Sequence, residues 1–547
     1  MVLLRDIYTH TPLILILILA FFLRCAIALF PYSGMGDAPT FGDYEAQRHW
    51  MEITLHLPLS QWYTFSPDYW PLDYPPLSAW HALGLGGVGK TWIPAGFALD
   101  SSRGFESPQH KWFMRMSVLV SDIVVYFPAV LVYSRVAAVI SPQSNKVKST
   151  RLACLFTLLC LVPLILIDHG HFQYNAVSLG FALFAFTFLI RDYHVLAAVL
   201  FSFALLFKQM SLYYALPVFF FLLGKCVYHP TRQGVALFVK LAITVLLTFT
   251  LVLAPFFFVG GFSSLIHIFQ RVFPVKRGLF EDKVANLWCL LDILVKLRRF
   301  TSPSLLFRLS ALSTLLFSLP PSLPFLFSSY SSRKLQQALP YSLAGGSLAF
   351  FLFSFQVHEK SILLPCLPIA MLYPYDPIFA AWFLSFAAWS MIPLLVRDGC
   401  LIPSLCLIPF YLVSLRIFDS IDASTPCQDE QKHSDGVNKG MMLIQRISSV
   451  LAGLIQLLDL TITPPETKPH LWIVANTLLS TGVFTVSYLY LVYRLYRILG
   501  LTGHSSKNAE HYSTVLSDVD HEKIANAVSS SLKMKRGQRR PHSKKQE

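Results

Sequence analysis

The sequence predicts an all-α polytopic membrane protein. Three observations carry that prediction. First, 54% of the 547 residues are hydrophobic and only 14% charged, whereas soluble domains carry about 25% charged residues. Second, the apolar residues gather into runs, several of them about 17–25 residues long, the length that crosses a bilayer as a helix. Third, the Lys and Arg residues behind the net charge of +14 sit in short connections and in the C-terminal tail. Basic connections of that kind mark the cytoplasmic side of a membrane protein, so the charge reports topology, and nucleic acid is not an expected partner. The 9 cysteines, among them Cys25, Cys154, Cys160, Cys366 and Cys406, lie mostly inside apolar runs without metal-like spacing. Neither a disulfide framework nor a zinc site is expected.

Along the chain, Pro12 to Phe30 is apolar except for Arg24. It exceeds the ~7–15 residues of a signal-peptide core and no small-residue cleavage site follows, so it is expected to be a retained first span. A polar loop runs from Pro31 to about Arg115. Spans follow near Met116–Ile140, Leu152–Ile167, Tyr174–Ile190, Val195–Met210, Tyr214–Val227 and Val235–Val259. A second polar loop is expected from Gly260 to about Pro303. Further apolar blocks are Leu305–Phe327, Leu339–Phe355, Ile362–Tyr373, Ile378–Val396, Leu401–Phe418, Met441–Leu460 and Leu471–Tyr493. The count is roughly 14 transmembrane helices.

The basic connections alternate correctly when both termini are cytoplasmic and Trp288–Phe300, short and closing on Lys-Leu-Arg-Arg, lies along the membrane surface. Four polar stretches, Phe41–His81, His169–Asn175, Arg271–Asn286 and Gln356–Lys360, then face the same, non-cytoplasmic side. The expected organisation is an N-terminal transmembrane module (1–259) carrying the first large loop (31–115), a second loop (260–303), a C-terminal module (304–502) and a basic tail (503–547). Residues 419–440 read as a polar linker. Lys544 and Lys545 stand fourth and third from the end, a dilysine pattern that retrieves membrane proteins to the endoplasmic reticulum when the tail is cytoplasmic.

The first loop carries the densest chemistry. Asp43 opens a helical stretch to Thr54, where a carboxylate is favoured by the helix N-terminus. Asp43, Gln47 and Trp50 share one face, while Glu45, Arg48, His49 and Glu52 crowd the flank. A charged helix lying on the membrane surface is the competing reading. Pro71, Pro75 and Pro76 stiffen the turn holding Asp73 and Tyr74. A transferase that deprotonates a sugar hydroxyl needs a carboxylate on such a scaffold, with aromatics to stack on sugars. Trp50, Trp62, Tyr69, Trp70 and Tyr74 supply candidates, against the alternative of an interfacial belt.

The other loops supply cations. Arg271, Lys276 and Arg277 precede Glu281 and Asp282, and His358, Glu359 and Lys360 cluster between two spans. A lipid phosphate would satisfy such a cluster, as would an internal ion pair. His169 and His171 have a metal-like spacing but no third ligand nearby, so lining a cavity with His171, Gln173, Tyr174 and Asn175 is the better reading. Lys208 and Gln209, polar residues inside an apolar run, likewise suggest a cavity or a helix end.

The strings GDYEAQRHWMEIT, LDYPPLSAWH, GHFQYNAVSLGFAL, KQMSLYYALP, FPVKRGLFEDKVANLWC and SFQVHEKSILL resemble the eukaryotic dolichyl-phosphate-glucose glucosyltransferase family of N-glycan assembly. The resemblance runs in the expected order from about Phe41 to Leu364 and is weak beyond about residue 370. It implies a GT-C membrane fold with two large lumenal loops, in the endoplasmic reticulum. The implied donor is dolichyl phosphate β-D-glucose, and the implied acceptor is the terminal mannose of Man9GlcNAc2-PP-dolichol. Transfer would form an α-1,3 linkage with inversion, which needs one general base and no covalent intermediate.

By the same resemblance Asp43 is the catalytic base. His358 contacts the donor phosphate with Lys360 as helper, and Asp73 holds the acceptor or orients the site. Glu45, Arg48, Trp50, Tyr74, Gln173 and Arg277 complete the expected substrate contacts. No cofactor and no divalent cation are expected, although Asp43 and Glu45 superficially resemble a metal-binding pair. The partners are the two lipid-linked substrates and membrane lipids, and a monomer is expected. The full EAQRHWMEIT run favours the enzyme adding the first glucose over the paralogue adding the second. A lipid or sugar transporter is the non-enzyme alternative and would predict inverted repeats with charges at mid-membrane depth. A non-catalytic scaffold subunit is a third reading.

Overall fold

The computed structural model describes residues 2–65, 68–140, 147–273, 284–327, 332–423 and 436–501. Arg277, the dilysine pair and most of the 419–440 linker and basic tail lie outside them. Among the described residues all regular structure is helical, as the 3.6-residue geometry demands of a chain whose backbone polar groups must be satisfied inside lipid.

Helix α1 is Val2–Ala28, α2 Asp43–His56 and α3 Pro76–Trp92. Then follow α4 (Pro108–Ile140), α5 (Val147–Phe172), α6 (Asn175–Ile190), α7 (His194–Phe207) and α8 (Gln209–Tyr228). The second half holds α9 (Thr231–Val272), α10 (Leu287–Val295), α11 (Pro303–Leu326) and α12 (Ser332–Phe353). It ends with α13 (Leu363–Met371), α14 (Pro377–Ser390), α15 (Ile392–Arg397), α16 (Leu401–Ala423), α17 (Gly436–Thr461) and α18 (Leu471–Leu499). Nine helical stretches among the described residues are long and apolar enough to cross a membrane: in α1, α4, α5, α8, α9, α11, α16, α17 and α18. Three more, α6, α7 and α14, are apolar but shorter. The chain is a multi-pass membrane protein.

Each expected apolar run contains a helix, and the differences are at the edges. The second loop, expected from Gly260, instead begins with helix that runs on to Val272. The chain leaves the helix at Gly261, whose φ of 61° glycine reaches without a side-chain clash, and a second helical piece follows across that kink. The segment Trp288–Phe300 holds the short α10 and the turn Leu297–Arg299. The charge in the first run also has its explanation. Arg24 Nε donates to Asp122 Oδ2 (2.7 Å), which His169 Nε2 also meets at 3.0 Å, so the intramembrane cation has a carboxylate partner inside the bundle.

Two features position the candidate site. The first loop packs on the bundle through an aromatic core in which Trp62 contacts Trp80 (5.0 Å between rings) and Phe256 (5.9 Å). In addition, α5 ends in a π-helical segment, Leu166–Phe172. That local widening is common at functional sites, and here it turns His169 and His171 toward different partners.

Candidate active site

The site is built where the first loop meets the end of α5. Ser33 and Gly42 cross so closely that a Cβ on Gly42 would lie 2.4 Å from Ser33 Oγ, and one on Gly34 only 1.9 Å from Gly42 N. Only glycines fit this crossing. Ser33 ties the two parts together: its N–H donates to His171 O (3.0 Å), and its Oγ accepts from the Asp43 N–H (3.3 Å). Asp43 therefore opens α2 already anchored to the α5 terminus.

Three donors converge on one oxygen of Asp43. His171 Nε2 lies 3.0 Å from Oδ2, and Gln173 Nε2 and Lys360 Nζ both donate to the same atom. Among the described residues every side-chain hydrogen bond to this carboxylate ends on Oδ2. The side chain keeps 23% of its surface exposed. Burial alone would raise the Asp43 carboxyl, but the Lys360 ammonium and the His171 ring outweigh it and hold it well below the usual carboxylate range. Asp43 is thus an ionised carboxylate at neutral pH, held by one oxygen.

The partners are themselves held. Gln173 Oε1 accepts from Lys208 Nζ (2.8 Å) and from Asn175 Nδ2 (3.1 Å), which fixes the amide with its N–H toward Asp43. Asn175 in turn donates to Asp168 Oδ1 (2.6 Å). Lys208 lies 4.9 Å above the Tyr74 ring, which packs against Trp50 with centroids 4.7 Å apart and planes tilted by 52°. Asp73 is near enough that its charge, after burial, pushes the Tyr63 hydroxyl well up, and Tyr63 donates to Tyr74 O (2.7 Å). His171 Nδ1 meets Asp398 Oδ2 at 2.6 Å, so the ring bridges two carboxylates.

The structure thus joins Asp43, Gln173 and Lys360 directly and places Asp73, Tyr74 and Trp50 beside them through Lys208. His358 heads the turn Glu359–Ile362, half-buried and two residues from Lys360. Glu45 and Arg48 are corrected. Arg48 is fully buried and donates to Glu45, Glu52, Ser102 and Gly96 O, while Glu45 also accepts from Tyr69 (2.8 Å) and Gly104 N (3.1 Å). Their polar atoms are turned on one another and brace α2 from inside the protein. The same burial, unbroken from Tyr44 to Thr54, removes the surface-helix reading.

Sequence reasoning passed over Asp398 and the two-sided contact of His171. The histidine lay in a segment read as cavity lining; Asp398 had no motif around it. Its one local signal is the Asp-Gly at the end of an apolar run, where Gly399 takes φ +71° and turns the chain. His169 and His171 do not converge as metal ligands would, since they meet Asp122 and Asp43 respectively, and no group of three or more candidate ligands is found among the described residues.

Comparison with known proteins gives concordant matches. The model of the ALG6, ALG8 glycosyltransferase family matches residues 20–490. The chain is 40% identical over 479 residues to the dolichyl pyrophosphate Man9GlcNAc2 alpha-1,3-glucosyltransferase of Rattus norvegicus, covering 84% of this chain and 92% of that protein. It is 38% identical over 510 residues to the Saccharomyces cerevisiae protein of that name, covering 89% and 91%. For the probable Schizosaccharomyces pombe counterpart the values are 40% over 486 residues, 87% and 90%.

Proposed function

The chain belongs to the ALG6, ALG8 glycosyltransferase family, and from that premise we propose that Asp43 is the general base of its sugar transfer. The protein is an α-1,3-glucosyltransferase of Man9GlcNAc2 pyrophosphate dolichol, the reaction named for its relatives. The donor is dolichyl phosphate β-D-glucose, and the reaction inverts: β donor, α product. The acceptor 3-hydroxyl oxygen attacks the anomeric carbon, its proton passes to Asp43, and the bond from that carbon to the phosphate oxygen breaks with the electron pair leaving on phosphate.

The observation that carries this reading is the one-sided holding of Asp43. With Oδ2 occupied by His171, Gln173 and Lys360, Oδ1 is the oxygen that meets the hydroxyl. A carboxylate held so low is ionised but weakly basic. The donor phosphate competes for Lys360, and as that ammonium turns toward phosphate the basicity of Asp43 rises when the acceptor is present. His358 neutralises the same phosphate, and Asp73 with Tyr74 holds the sugars, while Trp50, itself buried, backs the Tyr74 ring. The fold is GT-C with roughly 14 spans, the site faces the endoplasmic reticulum lumen with both termini cytoplasmic, and the protein acts as a monomer without a divalent metal.

The test uses purified protein with dolichyl phosphate glucose, dolichyl phosphate mannose and the nine-mannose acceptor, in EDTA, with Asp43→Asn beside the parent. Glucose transfer by the parent alone, unchanged by EDTA, is expected. Equal transfer by Asp43→Asn would remove Asp43 from the chemistry. Transfer of mannose, or of neither sugar, would overturn the donor assignment.

A further inference from the structure

The His171 ring is the least explained part of the site. It is buried between two carboxylates that are 355 positions apart in the chain (43 to 398), with Asp43 Oδ2 at 3.0 Å from Nε2 and Asp398 Oδ2 at 2.6 Å from Nδ1. A neutral imidazole has one N–H and cannot donate to both, so the two carboxylate contacts call for a ring with both nitrogens protonated; Lys360 Nζ, 3.3 Å from Nε2, then shares Asp43 Oδ2 with the ring as a second donor. Asp398 is almost fully buried and has no role in the sugar transfer described above.

Three things hold Asp398 and the ring in place. Gly399, at φ +71°, turns the chain directly after Asp398, and a Cβ there would lie 3.0 Å from Pro31 Cγ. Arg115, buried in α4, donates to Gly170 O (2.9 Å) and Pro31 O (3.0 Å), clamping the π segment that carries His171 to the start of the first loop. Finally, the Gly170 Cα is packed so that a Cβ would meet Cys400 Sγ at 3.3 Å. Asp398 therefore reaches Asp43 only through the ring.

We propose that Asp398 is a positioning residue for the base: through His171 it keeps a doubly protonated ring on Asp43 Oδ2, so that Oδ1 is turned to the acceptor hydroxyl. The proposal rests on Asp43 being the base. When the hydroxyl proton arrives on Oδ1, Oδ2 becomes the carbonyl oxygen of a neutral acid and still accepts from His171, so the ring need not move during the reaction. Replacing Asp398 by a neutral amide removes the charge that keeps the second proton on the ring. The amide then donates to Nδ1 and the ring keeps its single N–H on the stronger acceptor, Asp43 Oδ2, but without the positive charge. Asp43 is held by a neutral ring in place of an imidazolium, so it is less firmly oriented and less strongly ionised.

The charged and titratable groups that bear on this chain of contacts are Lys360, Lys208, Asp73 and Asp168 at the Asp43 end and Arg115, Lys111 and the Cys400 thiol at the Asp398 end. All of them are unchanged in the variants below. Small displacements of a reacting group cost up to about 100-fold.

The experiment compares parent, Asp43→Asn, Asp398→Asn, His171→Gln and the Asp398→Asn/His171→Gln double variant, each monodisperse in detergent, with dolichyl phosphate glucose and the nine-mannose acceptor. Asp398→Asn is expected to lower kcat about 10–100-fold with KM for both substrates nearly unchanged, and to move the acidic limb of its pH profile upward. The double variant is expected to be no slower than His171→Gln, because the aspartate acts through the ring. An Asp398→Asn enzyme with parental kcat and pH profile overturns the proposal, and so do additive losses in the double variant. If Asp398→Asn does not fold, Asp398→Glu and its pairing with His171→Gln are read by the same criteria. Activity in Asp43→Asn would instead overturn the assignment of the base, a failure distinct from this one.

Discussion

Lys360 donates a hydrogen bond to Asp43 from 317 residues further along the chain. A donor on the base is unusual, since it makes the carboxylate less able to take a proton. It makes sense if the ammonium has a second customer. Lys360 keeps 20% of its side-chain surface exposed, and a lipid phosphate arriving at the site draws it by charge.

Removing that ammonium therefore changes two measurable things. The folded Asp43 lies below its ordinary range, so it loses its charge only as pH falls through that depressed value. In Lys360→Met the largest lowering influence is gone, and the acidic limb of kcat/KM moves up toward the ordinary carboxylate range. The KM for dolichyl phosphate glucose rises while that for the acceptor does not. A limb that stays in place would mean that His171 alone sets the charge of Asp43.

Gln173 is the neutral partner of the same oxygen, and its amide is oriented by Lys208 and Asn175. Gln173→Glu keeps an acceptor for Lys208 but sets a second carboxylate against Asp43, and like charges that close disfavour ionisation. Activity at neutral pH falls by about tenfold or more, and raising the pH restores part of it. Gln173→Ala, which removes the hydrogen bond to Asp43, worth about 1.5–3 kcal/mol for a charged partner, and the acceptor of Lys208 and Asn175 but adds no charge, shows no recovery with pH. Identical profiles for the two variants would count against a charge effect.

Arg48 tests the bracing role. Its guanidinium is wholly buried between Glu45 and Glu52, with Ser102 and Gly96 O completing its contacts. Removing one member of such a cluster leaves buried charge uncompensated, at a cost of about 3–5 kcal/mol. Arg48→Ala is expected to lower the thermal unfolding midpoint in detergent sharply, and Arg48→Lys nearly as much, since an ammonium cannot reproduce the planar fork. Protein that stays folded should keep its KM for both substrates. A raised acceptor KM with normal stability would return Arg48 to the binding site.

How legible this was from the sequence depends on the length scale of each interaction. The helices were legible because apolar run length is a local signal, and all the expected runs contain one. Asp43, Gln173 and Lys360 were legible as residues because they lie in polar stretches that topology places on one side. Their convergence on a single oxygen was not, since no local pattern encodes a contact across hundreds of residues. Glu45 and Arg48 misled for a physical reason. A charged flank on a helix looks the same in sequence whether it faces water, substrate or its own ion partners, and only burial separates the cases. The extension of α9 to Val272 past two glycines was missed because Gly-Gly after an apolar run signals a helix end, while here the chain resumes the helix after one left-handed residue.

The glycines before Asp43 give a last prediction that separates strain from crowding. Gly34 and Gly36 both take positive φ, +74° and +71°. An alanine at either position is therefore strained, at about 1–2 kcal/mol. They differ in surroundings: a Cβ at Gly34 would sit 1.9 Å from Gly42 N, while nothing described lies within 4 Å of one at Gly36. Gly36→Ala should then keep nearly parental kcat with a small loss of stability. Gly34→Ala must push Gly42 away, and Gly42 is the residue from which Asp43 starts its helix, so kcat is expected to fall about 100-fold. Both rates and unfolding midpoints are measured. Equal modest losses in the two variants would mean that the Ser33–Gly42 crossing does not locate the base, whereas a loss of rate confined to Gly34→Ala ties the position of Asp43 to that close approach.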